Sequence, residues 1–82
     1  MNAPLPPAAH APAVYLETLH FYPPSVLPDA DINVILTVLE DAEKETYQGY
    51  YDGEKWVDST GFPITWPVLS WAHMPAGIDL RG

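Results

Sequence analysis

A run of acidic and amide side chains at alternate positions is the first feature of the sequence that could bind a ligand. The ligand spacing of a calcium-binding EF-hand loop is matched by Asp29, Asp31, Asn33 and Glu40. That loop turns sharply at a glycine, and this chain has Val34 there, a β-branched residue for which a positive φ is strained. The intervening residues also favour a strand. We therefore interpret the aspartates as turn formers ahead of a strand, with no calcium site.

Histidine and serine residues supply no recognisable catalytic or metal-binding pattern. The histidines stand far apart, at His10, His20 and His73, without the local spacing of a zinc helix or finger. Ser70, His73 and Asp79 resemble a catalytic triad by residue type alone, because no nucleophile elbow surrounds the serine. The chain has no cysteine and no glycine-rich phosphate loop. We therefore expect no enzyme, no metal and no cofactor.

Acidic residues outnumber basic ones by eleven to three, which gives a formal net charge of −8. This balance argues against contacts with nucleic-acid phosphates or anionic lipid, and it permits binding to a basic protein surface. Residues 29–58 hold nine acids and two lysines, or −7 of the total charge. One interpretation is a solvated rim. The other is a docking surface for a basic groove, made of Glu40, Asp41, Glu43, Glu45, Asp52, Glu54 and Asp58.

Residues 46–58 predict a β-hairpin with an unusual density of aromatic rings. Strands at 46–51 and 54–58 flank Asp52-Gly53, a pair that suits the positive φ angles of a type I′ turn. With a two-residue turn, Gly49 lies opposite Trp56, and the indole can then cover the bare glycine backbone.

Alternation along the strands sorts these rings onto two faces. Tyr47, Tyr51 and Trp56 share a face, and Tyr50 lies on the other, next to Lys55. A four-residue turn keeps this sorting. The shared cluster is interpreted either as core or as a stacking platform for a ligand or partner. The predicted aromatic binding residues are Tyr50, Tyr51 and Trp56.

Hydrophobic patterning predicts a mainly β fold, with α+β as the alternative. Residues 32–39 are the clearest strand, since every second side chain from Ile32 is apolar. Residues 14–22 favour a strand, although a helix is the alternative, and Glu40 to Glu45 favour a turn. Residues 64–73 predict a last strand, in which Pro67 marks an edge or a bulge. We expect one small antiparallel sheet of three to four strands in a meander.

The chain divides into an arm and one small domain. Residues 1–13 contain four prolines and five alanines, which favours an extended arm, and residues 14–82 form a single β-rich domain. No apolar run approaches the length of a membrane span, and the N-terminus lacks a signal peptide, so we expect a cytoplasmic protein. Without disulfides, self-association is one remaining source of stability, and we expect a homo-oligomer.

Several short stretches from residue 27 onward carry a resemblance to a known family. They are Leu27-Pro28-Asp29, Val34-Ile35-Leu36, Gly49-Tyr50-Tyr51-Asp52-Gly53 with Trp56, Gly61, and Trp71-Ala72-His73-Met74-Pro75. From residue 27 on, the chain resembles a small uncharacterised family common in phages and prophages. The Ala/Pro arm and the C-terminal ending depart from that pattern. The family has no agreed activity, so the resemblance implies a setting inside a bacterium and no particular chemistry.

These features together predict a non-enzymatic accessory protein of phage or prophage origin. It would bind a host protein with a basic surface, such as a nucleic-acid-handling defence complex, by imitating nucleic acid with its acidic residues. Two alternatives stay open. One is an oligomeric sponge that sequesters a nucleotide-like small molecule between aromatic faces, and the other is a structural phage protein that only self-assembles.

Overall fold

A computed structural model describes residues 13–81 as a single open antiparallel β-sheet. The strands are β1 (Phe21–Tyr22), β2 (Val34–Glu40), β3 (Glu43–Tyr51), β4 (Trp56–Asp58) and β5 (Val68–His73). The prediction of a mainly β fold with one antiparallel sheet is confirmed. The count of three to four strands is wrong, since there are five. The meander is also incomplete, because the order β1-β5-β2-β3-β4 inserts the last strand between the first two.

The central strand β2 provides most of the core, as its alternating pattern predicts. Val34, Leu36 and Val38 are fully buried on one face of the sheet, which we call the core face. Trp71 of β5 lies opposite Leu36 and completes the buried cluster. Ile32, predicted as part of this face, precedes the strand and remains exposed.

Two chain connections cover the core face. Residues 23–33 pass over β5, where the Trp71 indole N–H donates to the Val26 carbonyl oxygen at 2.6 Å. Residues 59–67 lead from β4 back to β5, and their Ile64 packs against the buried cluster. Since both connections lie on this side, Ile35 and Leu39 on the opposite face, here called the outer face, stay only half-buried.

The tight hairpin turn is located at Asp41-Ala42. Glu40 and Glu43 are paired directly across it, so the loop has two residues, with φ of 50° at Asp41 and 69° at Ala42. Positive φ at both positions is the mark of a type I′ turn. The predicted turn over Glu40 to Glu45 is therefore too long, because β2 and β3 continue into it.

The predicted two-residue turn at Asp52-Gly53 is wrong, since Tyr51 pairs with Trp56 and the loop spans four residues. The Asp52 carboxylate explains the wider loop. Its Oδ1 accepts the backbone N–H groups of Glu54 and Lys55, each at 2.8 Å, which satisfies donors that a tighter turn would leave out. The predicted loop of two residues and the observed loop of four are both even in length, so the side chains fall on the predicted faces.

The first and last strands are shorter than predicted. Only Phe21–Tyr22 of the expected strand 14–22 joins the sheet, and no part of it is helical. The last strand begins at Val68 and not at residue 64, after Pro67. Leu69 is an extra residue on β5, because Thr37 pairs with Ser70 and Val38 with Val68. This bulge beside the proline agrees with the prediction.

The segments outside β1 and β5 continue side by side. The β1–β5 register pairs residue 21 with 72 and residue 22 with 71, and its continuation sets Glu17 opposite Ala76. The Glu17 carboxylate accepts the backbone N–H groups of Ala76 at 2.5 Å and Gly77 at 3.0 Å. A side chain thus links the two segments where Pro75 has no N–H to donate.

Residues 1–12 and residue 82 lie outside the described residues, and with them most of the predicted arm. Among residues 13–81, no helix is long and apolar enough to cross a membrane.

Candidate functional site

The end of the β2–β3 hairpin concentrates four acidic residues, which we call the acidic tip. It consists of Glu40, Asp41, Glu43 and Glu45. Glu40 and Glu43 are direct cross-strand partners, and Glu45 is opposite Val38. All three glutamates therefore lie on the core-face side of the ribbon. Glu43 and Glu45 are exposed, as is Asp41 in the turn itself.

Lys44, the basic residue within the β2–β3 hairpin, points away from this group. Lys44 is paired with Leu39, so alternation places it on the outer face. The closest polar contact of the tip is instead a hydrogen bond that the Tyr47 hydroxyl donates to Glu40 Oε1. This bond, assisted by the charges of Glu45 and Asp58, raises the pKa of Tyr47 above its usual value. The tip is thus a one-sided negative surface without a compensating lysine.

Asp52 and Asp58, two more of the predicted binding residues, hold their own loops together. Asp52 accepts the backbone N–H groups described above, and Lys55 Nζ lies 3.0 Å from its second oxygen. The N–H of Lys55, that of Glu54 and the ammonium of Lys55 lower the pKa of Asp52 to about 2.

Asp58 plays the same part in the next turn. Its Oδ1 accepts the Thr60 hydroxyl at 2.6 Å, the Thr60 N–H at 2.9 Å and the Phe62 N–H at 3.1 Å. The Thr60 hydroxyl contributes most to lowering the pKa of Asp58. These carboxylates stabilise turns, and a partner would find them already engaged.

The seven predicted acids do not form one continuous rim. The acidic tip is at one end of β3, whereas Asp52 and Glu54 follow its other end. At about 3.4 Å per residue, a strand of nine residues separates the two groups by roughly 27 Å. The strand length, which the sequence pattern left open, decides this separation.

The aromatic cluster of the β3–β4 hairpin belongs mainly to the core. Tyr47 and Trp56 pack against the buried cluster, and the rings of Tyr51 and Trp56 meet edge to face at 5.2 Å. Gly49 lies opposite Asp58 and not opposite Trp56, so the indole does not cover it.

A closer backbone contact explains why residue 49 is glycine. A Cβ there would collide with the Val57 carbonyl oxygen and would stand 3.0 Å from Leu36 Cδ1.

Tyr50 takes the position that the alternation predicts. It pairs with Val57 on the outer face and is half-buried. Lys55, predicted beside it, lies in the loop and pairs with Asp52. Tyr50 is therefore the hairpin ring that is directed away from the core.

A second aromatic group, at the other side of the sheet, was not predicted. The rings of Tyr22 and Trp71 stack at 4.7 Å, and His73 meets Trp71 edge to face at 5.1 Å. The pairing of β1 with β5 brings them together across some fifty residues of chain. The sequence shows that Trp71 and His73 are two residues apart and so share a face of a strand. It does not show that β1, with Tyr22, pairs with that strand.

The triad-like residues are not assembled into a site. Ser70 and His73 lie on opposite faces of β5, and Asp79 pairs with Arg81 at 2.7 Å. Val34, at the glycine position of the EF-hand pattern, is a buried residue of β2. Within residues 13–81 there is no group of three or more potential metal ligands and no pocket.

Comparison of the chain with protein-family models, with curated proteins and with solved structures gave no match.

Proposed function

We propose that the protein binds another protein by docking its acidic tip onto a basic surface. The observation that carries this proposal is the direct cross-strand pairing of Glu40 with Glu43, with Glu45 on the same side and Lys44 on the other. Like charges in directly opposed positions disfavour a sheet. A partner with clustered arginines or lysines would neutralise that repulsion on binding. The like charges that destabilise the unbound hairpin would therefore stabilise the complex.

The conformation of the tip suits it to a groove. Its turn has only two residues, and the Tyr47 hydroxyl holds Glu40 in place. A preorganised carboxylate loses little side-chain entropy on binding. The net charge of −8 would also steer the protein toward a basic partner over a distance that shortens as salt is added.

The partner class that fits is a protein whose basic groove ordinarily holds nucleic acid. In the setting that the phage-family resemblance implies, this would be a host defence complex, and the chain would be a non-enzymatic inhibitor acting in the bacterial cytoplasm. Of the acidic residues, those of the tip would contact the partner, since the carboxylates of Asp52 and Asp58 are already hydrogen-bonded within their own turns.

A charge-neutralised pair of variants tests the proposal. Glu43→Gln with Glu45→Gln removes two exposed charges from the tip, and Asp29→Asn with Glu54→Gln removes two exposed charges elsewhere. Proteins from a bacterial lysate are captured on the wild type and on both variants and compared by mass spectrometry. Partners retained by the wild type and by the control variant, but lost by the tip variant, are then purified.

Affinity measurements on such a partner complete the test. Each exposed ion pair contributes about 0.2–1 kcal/mol, so the tip variant should bind roughly 2- to 30-fold more weakly and with a shallower salt dependence. Equal loss in both variants would mean that only overall charge matters. Affinity unchanged by salt, or retained in full by the tip variant, would refute docking through the tip.

A further inference from the structure

We propose that the free edge of the sheet at β1 pairs antiparallel with the same edge of a second copy of the chain. The edge consists of β1 and the segment leading into it, residues 14–22, and we call it the β1 edge. Residues 13–20 contain no turn or bend, and the Glu17 carboxylate links them to the C-terminal segment at Ala76 and Gly77. Their other side faces no described strand, so its backbone N–H and C=O groups can pair with another chain.

The β1 edge has few of the features by which proteins usually protect an edge strand, namely the short length of β1, with two residues, and one inward-pointing charge. Residues 14–22 contain no proline and no lysine. Their single charge, Glu17, is directed inward to the N–H groups of Ala76 and Gly77. The side chains of Val14 and Leu16 are 84% and 89% exposed, and Phe21 is 51% exposed. This is an extended segment with exposed apolar side chains, and it ends in the edge strand β1.

The opposite edge of the sheet, at β4, is protected. Strand β4 has three residues, and its free side already carries a bridge from Val57 to Pro63. Asp52 lies in the loop before it, and Asp58 is its last residue. The β4 edge is thus covered and charged, whereas the segment that ends in β1 has no described strand or bridge on its free side. Pairing through β1 leaves no unprotected edge among the described strands.

Charge identifies a second copy as the occupant. Two molecules of net charge −8 repel each other, and they approach most easily where charge is sparse. Residues 14–22 carry one formal charge, that of Glu17, whereas residues 29–58 carry −7. A basic foreign partner would be drawn to the acidic region instead. Identical edges paired antiparallel about a twofold axis are also self-complementary, which gives a closed dimer.

A charge placed on the edge tests the proposal in solution. Sedimentation of the full chain between about 1 µM and about 1 mM should show a monomer–dimer equilibrium. Leu16→Lys should raise the dissociation constant at least about tenfold, since the dimer loses apolar contact and has to bury an ammonium group. Phe62→Lys is the matched control, because Phe62 is also exposed, at 68%, but lies in the loop after β4, at the other edge of the sheet.

Disulfide trapping tests the geometry directly, because the chain has no cysteine of its own. Single cysteines are introduced in turn at residues 15, 16, 18, 19 and 20, with Glu54→Cys as the control on the other side of the sheet. Paired cysteines need Cα atoms about 4.4–6.8 Å apart, so only the position nearest the twofold axis should cross-link fast.

One maximum within the edge, with no cross-linking at residue 54, would support the proposal. A wild-type chain that stays monomeric throughout, or a dimer that neither Leu16→Lys weakens nor any edge cysteine traps, would overturn it. The tip variant Glu43→Gln with Glu45→Gln should dimerise as the wild type does, so failure of the edge and failure of the acidic tip are separately visible.

Discussion

Gly49→Ala is the substitution whose cost is most directly set by the structure. The added Cβ meets the Val57 carbonyl oxygen, a backbone atom that cannot rotate away, and Asp58 Cα at 3.2 Å on the same strand. Because β4 pairs with β3 through only three residue pairs, the clash is relieved by separating the two strands.

The expected loss of stability follows from that separation. Net hydrogen-bond contributions of about 1 kcal/mol each, together with the strain of overpacking, give a loss of about 2–4 kcal/mol. A chain of 82 residues has a total stability of about 4–12 kcal/mol. The melting temperature should therefore fall by roughly 10–25 °C.

Thermal unfolding followed by tryptophan fluorescence and circular dichroism measures this loss, and Trp56 on β4 is one of three tryptophans that contribute to the fluorescence. Gln48→Ala is the control, since Gln48 precedes Gly49 on the same strand and its side chain is exposed. A melting temperature within about 2 °C of the wild type would refute the reasoning, because it would mean that β3 and β4 are not held at the described separation.

Three further predictions concern the turns and the acidic tip. Ala42→Gly should stabilise the protein by about 1 kcal/mol in urea unfolding, since a φ of 69° strains alanine and not glycine; a loss of stability would contradict the type I′ turn. Because the folded pKa of Asp52 is depressed to about 2 from its usual 3.8, its contribution to stability is present above about pH 5 and is lost as pH falls through 3.8 toward 2. Asp52→Asn should therefore lower stability at neutral pH and flatten its acid dependence, and parallel pH profiles would contradict this assignment. Glu40→Gln should move the pKa of Tyr47 down toward its usual value in an ultraviolet absorbance titration, with Tyr47→Phe identifying the signal; an unchanged titration would show that the bond to Glu40 does not form.

Local patterns in the sequence predicted the elements that rest on local physics. The alternation of β2 was sufficient because one of its faces is fully buried, and a slip of one residue would expose Val34, Leu36 and Val38 together. Which side chains of β3 and β4 share a face was also predictable, since loops of two and four residues place them on the same faces. Tyr50 was placed on the correct face for this reason.

Non-local pairing and side-chain competition account for the failures. Asp52-Gly53 has the composition of a tight turn, but the Asp52 carboxylate binds N–H groups farther along and widens the loop. Asp41-Ala42 has a weaker turn signal and becomes the tight turn because β2 and β3 pair right up to it. The stacking of Tyr22 on Trp71 and the splitting of the acids to two ends depend on strand partners and lengths that no local pattern contains.

The hydrogen bonds from Ala76 and Gly77 to Glu17 have a consequence for the order of folding. They join residues 59 and 60 positions apart, whereas β2, β3 and β4 are connected by loops of two and four residues. Closing a long loop costs more entropy than closing a short one, so the three local strands should assemble first and β1 should dock last. The pairing of β2, β3 and β4 should then be nearly complete before the Tyr22–Trp71 stack forms. The edge that we propose for self-pairing would be the last part of each molecule to form, and a second copy that captured it early would accelerate the final step in proportion to protein concentration.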